Sequence, residues 1–290
     1  MRVFQSIIIL GVTGLAVFFW LTRPAPAPVP TIAQVQGNAV EGAEVFHMAG
    51  CGGCHRAVGG DPLVLSGGQR FASPFGTFVA PNVSMDPDHG IGSWDIADFD
   101  RAVRAGVSPQ GRHYYPAFPY ASYANMTDQD LANLWAFWQT LPSSNAASQD
   151  HDLPLLFAWR RPVGVWKTLY MPVTAPVVPG ADDVVTRGQY LTVALGHCAE
   201  CHTPRTALGG VDVNRWMQGA ATPDGKGKTP DITSDTLGWT AQDIAEYLKS
   251  GFTPDYDMAG GKMAEVIENT SKISDADRLA IGTYLTQISR

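Results

Sequence analysis

The first pattern along the chain is an apolar run from Val3 to Leu21, interrupted only by Gln5, Ser6 and Thr13. A helix of that length crosses a bilayer. The segment 1–23 ends in Phe18-Phe19-Trp20-Leu21-Thr22-Arg23 rather than in small residues, and Pro28 follows the nearby Ala25-Pro26-Ala27. Those features favour an uncleaved transmembrane anchor over a cleaved signal peptide. Residues 24–36 carry alternating proline from Pro24 to Pro30, which favours polyproline II and a semi-rigid spacer.

Beyond the spacer, apolar positions recur at helical period. Val40 to Met48 and Thr186 to Leu195 read as two short helices. Leu131, Leu134, Trp135 and Trp138 keep i, i+3, i+4, i+7 spacing, the core face of a closing helix, and Leu279, Ala280, Tyr284 and Leu285 approximate it. Each closing helix is expected to open with a capping box, at Thr127 to Asp130 and Ser274 to Asp277. Trp94 and Gly106 bracket an amphipathic helix, and so do Trp239 and Gly251. Pro81-Asn82-Val83-Ser84 returns as Pro230-Asp231-Ile232-Thr233, and Ser108-Pro109 as Thr253-Pro254. Matched landmarks lie 145 to 149 positions apart. The pattern predicts a tandem duplication with little strand signal: an all-α unit over 37–142 and a second over 182–290. Between them, 143–181 lacks helical periodicity and is rich in proline, yet holds Leu155, Leu156, Phe157, Trp159, Trp166, Leu169 and Tyr170. A free linker would not carry so many large apolar groups, so this connector is expected to pack across both units, or else to cover the surface of one.

The 290 residues suffice for two domains beyond an anchor, and a net charge of −7 argues against a nucleic-acid partner. All four cysteines fall in Cys51-Gly52-Gly53-Cys54-His55 and Cys198-Ala199-Glu200-Cys201-His202. Cys-x-x-Cys-His is the attachment sequence of c-type haem. Two thiols three positions apart lie on one side of a helical turn, where each can add to one vinyl group of a porphyrin, and the adjacent His falls beneath the iron. A redox motif would sit in a βαβ pattern, which is missing, and a zinc site would need a fourth ligand that neither copy supplies. The expected cofactors are two covalently bound haem c groups, on Cys51, Cys54, Cys198 and Cys201, with His55 and His202 as iron ligands. Because c-type haem is joined outside the bacterial cytoplasm, the haem units are expected in the periplasm, held to the inner membrane by a single N-terminal span.

For the sixth ligand of the second iron, Met263 sits in the loop Gly260-Gly261-Lys262-Met263, twelve positions beyond Gly251; Met258 is the runner-up and Met217 lies further off. Twelve positions beyond Gly106 stands Phe118, which cannot ligate iron. The first iron then has three options: Met126, His113 or no sixth ligand. Met126 is favoured, although a residue just before an N-cap commonly staples the helix start, and Ile273 holds that place in the second unit. Pro62-Leu63 either supplies the carbonyl that orients His55 or forms a plain turn. Arg70 and Arg205 are candidate propionate partners; His47 and His197 read as ordinary surface or core residues. No phosphate loop, nucleophile–base pair or carboxylate pair with catalytic spacing occurs, so no catalytic residue is assigned and the chain is not read as an enzyme by itself.

The stretch Pro81-Asn82-Val83-Ser84-Met85-Asp86-Pro87-Asp88-His89-Gly90-Ile91-Gly92-Ser93-Trp94, then Arg101-Ala102-Val103-Arg104-Ala105-Gly106-Val107 and Gly111-Arg112-His113-Tyr114-Tyr115-Pro116-Ala117-Phe118-Pro119-Tyr120, resembles the cytochrome c subunits of membrane-bound bacterial dehydrogenases. Cys201-His202-Thr203-Pro204-Arg205 and Gly251-Phe252-Thr253-Pro254-Asp255 with Met263 are similar to their second unit. The resemblance implies two tandem cytochrome c domains relaying single electrons from a dehydrogenase catalytic subunit to a cytochrome, a quinone or an oxidase. It departs in two places: those subunits commonly hold three haems, and they commonly read Tyr-Pro-Ala-Met-Pro-Tyr, with that Met as axial ligand, where this chain has Phe118. The departure at Phe118 motivates a rival, a haem enzyme of dihaem peroxidase or thiosulfate dehydrogenase type with an open first haem. A dihaem subunit of a terminal oxidase is a third reading. Against an open face, the crowd of large residues from Tyr114 to Tyr123 suggests a closed pocket.

Overall fold

The computed structural model describes residues 2–24 and 32–289. Helix α1 (Arg2–Leu21) leaves nearly all its large apolar side chains exposed, and among the described helices it is the one long and apolar enough to cross a membrane. Most of the expected spacer lies outside the described residues. Ile32, which opens a short 3-10 turn, is already buried in the core.

The first half is built from α2 (Ala39–Met48), α3 (Cys51–His55), the antiparallel hairpin β1 (Arg70–Ser73) and β2 (Gly76–Val79), α4 (Ile96–Ala105), α5 (Tyr120–Tyr123) and α6 (Asp128–Trp138). Two connector helices follow, α7 (Leu155–Ala158) and α8 (Val163–Tyr170). The second half repeats the plan with α9 (Asp183–Tyr190), which continues as a π turn over Leu191–Leu195, then α10 (Ala199–His202) and the antiparallel hairpin β3 (Gln218–Ala221) and β4 (Lys228–Asp231). It closes with α11 (Ser234–Leu237), α12 (Ala241–Ser250), α13 (Lys262–Thr270) and α14 (Asp275–Leu285). The fold is mostly helical rather than strictly all-α, since each half adds one short two-stranded ribbon.

In each half the opening helix crosses the closing one at a glycine. A Cβ at Gly42 would fall 1.9 Å from the Asn133 carbonyl oxygen, and one at Gly188 would fall 1.9 Å from that of Ala280. Helices α2 and α6, and likewise α9 and α14, therefore touch backbone to backbone. Gly106 and Gly251 end α4 and α12 in the left-handed region, at φ 61° and 82°, where a side chain would be strained. Leu131, Leu134, Trp135 and Trp138 are all buried, as their spacing predicts. In α14 the expected face is partly wrong: Leu279 is 39% exposed, and Arg278 and Ile281 are buried with Ala280, Tyr284 and Leu285. Arg278 is satisfied inside by the carbonyls of Thr270 and Ile273.

The expected capping boxes form only by half. Thr127 and Ser274 accept from the amides of Asp130 and Asp277, but both acid side chains turn instead to α9, Asp130 to the Tyr190 hydroxyl at 2.5 Å and Asp277 to Arg187 at 2.9 Å. A complete reciprocal box occurs at Thr240 and Asp243. The connector is not free of helix, as α7 and α8 show. It touches both halves: Val173 donates to the Ala121 carbonyl and accepts from Asn125, while Trp166 donates to the Leu208 carbonyl and the Tyr170 hydroxyl meets Thr206.

Candidate haem attachment site

Both Cys-x-x-Cys-His motifs sit on short helical turns directly after the opening helix of their half. Gly50, at φ 65°, turns the chain from α2 into α3, and His197 takes a positive φ of 39° before Cys198. All four cysteines are free thiols. Burial pushes Cys54 up to about 11 and Cys198 up to about 12, and it raises Cys51 and Cys201 as well. Among the described residues no three His, Cys, Asp or Glu side chains converge as a metal site needs.

The two histidines are held alike. The Nδ1 of His55 lies 3.0 Å from the Pro81 carbonyl, and that of His202 lies 2.8 Å from the Pro230 carbonyl. A carbonyl only accepts, so Nδ1 carries the proton and Nε2 presents its lone pair. Burial, which lowers both imidazoles below the ordinary histidine value, also favours the neutral ring; the carbonyl bonds oppose that shift. The orienting carbonyl is thus Pro81, not Pro62-Leu63. Pro62 is occupied differently, with its carbonyl packed so closely on Gly52 that a Cβ there would overlap it.

The two motifs face each other across the halves. Arg56, just after His55, pairs with Glu268 of α13 at 3.1 Å. In the opposite sense Ser122 of α5 donates to Glu200, inside the second motif, at 3.2 Å. The end of the Met48 side chain packs onto Gly196. Aromatic walls stand beside the cysteines. Tyr123 donates to the Ala49 carbonyl at 2.7 Å and is raised well above the ordinary tyrosine value by burial, next to Cys51 and Cys54. Tyr284 lies beside Cys198 and is pushed up to about 12 by burial. The sequence pattern puts Tyr284 on the core face of the closing helix and Tyr123 in the crowded stretch from Tyr114, but brings neither to the cysteines.

The candidate sixth ligands separate. Met263 lies in the first turn of α13, partly buried against the core. Met258 is 68% exposed on a β-bridge with Phe252, and Met217 is fully buried beside Trp216. Phe118 packs against Tyr114, Tyr120 and Tyr123, with ring centres 5.7 to 6.3 Å apart. His113 is committed elsewhere, its Nε2 donating to the Thr22 carbonyl at 3.0 Å. Met126 is buried, just before Thr127, and Ile273 is buried at the matching place. Arg70 and Arg205, expected near propionates, pair with Asp152 at 3.6 Å and Glu200 at 2.6 Å. His197 stacks edge-on to Tyr123 and His47 is half-buried, in line with ordinary packing roles.

The donor set fits a c-type haem: paired thiols on one helical turn, and one neutral imidazole per motif with its far nitrogen free. Beside the second motif, the Trp216 indole N–H and the Tyr284 hydroxyl are buried close to each other without a well-formed hydrogen bond, which leaves both as donors for the acceptor oxygens of a propionate.

A cytochrome c family model matches residues 39–142. A diheme cytochrome c-type protein of Cereibacter sphaeroides is 50% identical over 285 residues, covering 97% of this chain and 95% of its own. The gluconate 2-dehydrogenase cytochrome c subunit of Pantoea cypripedii is 34% identical over 88% of this chain, and the cytochrome c subunit of the quinone alcohol dehydrogenase of Gluconobacter oxydans is 36% identical over 84%. The chain spans only 60% and 53% of the length of those two subunits. With one relative half-identical along nearly its whole length and the family model matched over the first half, this chain belongs to the cytochrome c family.

Proposed function

We propose that the chain is a membrane-anchored, periplasmic dihaem cytochrome c, with two tandem haem domains over 37–142 and 182–290, that relays single electrons from a dehydrogenase to the respiratory chain. The observation that carries this reading is the matched pair of histidines, each oriented by a proline carbonyl so that its Nε2 is free. Cys51 and Cys54 would hold one haem, with His55 below its iron; Cys198 and Cys201 would hold the other, with His202. When bound, each haem supplies a one-electron Fe(III)/Fe(II) couple. The residues around it exclude water and fix the ligands. The facing motifs, joined by Arg56–Glu268 and Ser122–Glu200, support transfer between the halves. Names of the homologous dehydrogenase subunits support a dehydrogenase as donor, with a cytochrome, quinone or oxidase as acceptor.

Met263 is the proposed sixth ligand of the second iron, a thioether that raises its potential. At the first iron Phe118 cannot ligate and His113 serves Thr22, so Met126 is the proposed ligand. The test is a redox titration of the full chain followed by exposure of the reduced protein to carbon monoxide and of the protein to peroxide. The relay reading expects two one-electron steps, no fast carbon monoxide binding and no peroxide turnover. Full, fast binding at one haem with peroxide turnover would establish the rival haem enzyme, which Phe118 otherwise favours.

A further inference from the structure

The C-terminal end of α1 does not dangle from the protein. Arg161 donates to the Phe19 carbonyl at 2.8 Å and to the Thr22 hydroxyl at 2.9 Å, and the His113 ring takes the Thr22 carbonyl. Thr22 is fully buried, against Gly164, where even a Cβ would lie 2.6 Å from its Cα. The Phe18 ring meets Trp159 with centres 5.7 Å apart. The connector stretch 159–164 is therefore clamped to the last turn of α1.

That clamp brings an uncovered apolar edge to the helix end. Leu155 is 90% exposed, Leu156 79% and Trp159 58%, and Trp20 in the last turn of α1 is 60% exposed. Phe18 precedes Leu21 by three residues, a rise of about 4.5 Å, so Trp159 stands within one turn of the end of the apolar helix. Tryptophan is favoured at that level of a membrane. The charge pattern agrees. Although the whole chain is acidic, no Asp or Glu occurs between Asp152 and Asp182, while Arg160 and Arg161 do, and Arg23 lies beside Trp20.

We infer that Leu155, Leu156 and Trp159 rest in the headgroup layer of the bilayer that α1 enters, with Arg23 facing anionic lipid phosphates. This rests on the reading of α1 as a membrane span and adds a second, lateral contact that fixes how the haem units stand on the membrane. The occupant is the lipid surface, because the edge is continuous with the span, carries an interfacial tryptophan and is basic where lipid is anionic.

The test uses the full-length holoprotein in phosphatidylethanolamine–phosphatidylglycerol vesicles. Leu156→Cys, Leu15→Cys and Val58→Cys each receive a nitroxide label, and the haems are reduced before measurement. Relaxation by oxygen, which partitions into lipid, is compared with relaxation by a water-soluble nickel chelate. The inference expects an oxygen-to-nickel ratio several-fold higher at position 156 than at the exposed control position 58, and a high ratio at position 15. A high ratio at 15 with a water-like ratio at 156 overturns the inference while leaving the span intact. Shielding of 156 from both agents also overturns it, in favour of a protein cover such as a second copy. A water-like ratio at 15 refutes the span itself and the inference with it.

Discussion

Replacing Gly188 by alanine should separate α9 from α14. The added Cβ would lie 1.9 Å from the Ala280 carbonyl oxygen and 2.9 Å from the Tyr284 Cβ. Ordinary non-bonded contacts lie at about 3.5 Å, so the helices must part by about 1.5 Å. The obstacle is backbone, which no rotamer change can move, and this places the cost at the upper end of overpacking, about 3 kcal/mol. For a chain of this size that corresponds to a fall of about 6–12 °C in Tm. Gly42→Ala should behave alike against the Asn133 carbonyl. Gly260→Ala is the control, since nothing lies within 4 Å of its Cβ position and its φ is not positive; it should be neutral or stabilising by up to about 1 kcal/mol. Thermal and urea unfolding of the three holoproteins, followed by far-UV circular dichroism, measure the differences. Equal stability of Gly188→Ala and Gly260→Ala would refute the backbone crossing.

Three further outcomes follow from the sites. Met263→Leu should lower the potential of one haem and open it to carbon monoxide, while Met258→Leu should leave both unchanged; the reverse result in the redox titration would exchange their roles. Met126→Leu should abolish the thioether-to-iron charge-transfer band of the first haem, and an unchanged band would assign Met126 the helix-stapling role that Ile273 has. Lys167 donates to the carbonyls of Ala105 and Gly106, yet burial pulls it down to about 7. The unfolded chain keeps that proton to about 10.4, so between the two values it binds more protons than the folded state. Stability should therefore rise with pH across that window, and Lys167→Met should flatten the rise; an unchanged slope in urea unfolding from pH 6 to 10 would contradict this.

Local pattern made much of this legible. The steps from Trp94 to Gly106 and from Trp239 to Gly251 mark α4 and α12 because a left-handed cap needs glycine and an amphipathic helix needs its period. What the pattern missed depends on distant contacts. The orienting carbonyl was sought next to His55, whereas Pro81 lies 26 positions on; its repetition as Pro230, 28 positions beyond His202, was a signal available in the sequence. Asp130 and Asp277 have the right spacing for capping boxes, but Tyr190 and Arg187 of another helix compete for their carboxylates. Helix α8 escaped notice because apolar residues line two faces: Trp166 and Tyr170 turn inward, while Leu169 stays exposed. Leu279 fits the helical period, but Ile281 and Arg278, satisfied by the Thr270 and Ile273 carbonyls, take the buried face instead.

If two haems are joined covalently to this chain, they can be counted. Intact-mass measurement with pyridine haemochrome quantification is predicted to give two haems per chain, resistant to acid-acetone extraction. The Cys198→Ala, Cys201→Ala double variant should retain one. A wild-type chain carrying one haem or none, or haem that extracts freely, would contradict the account.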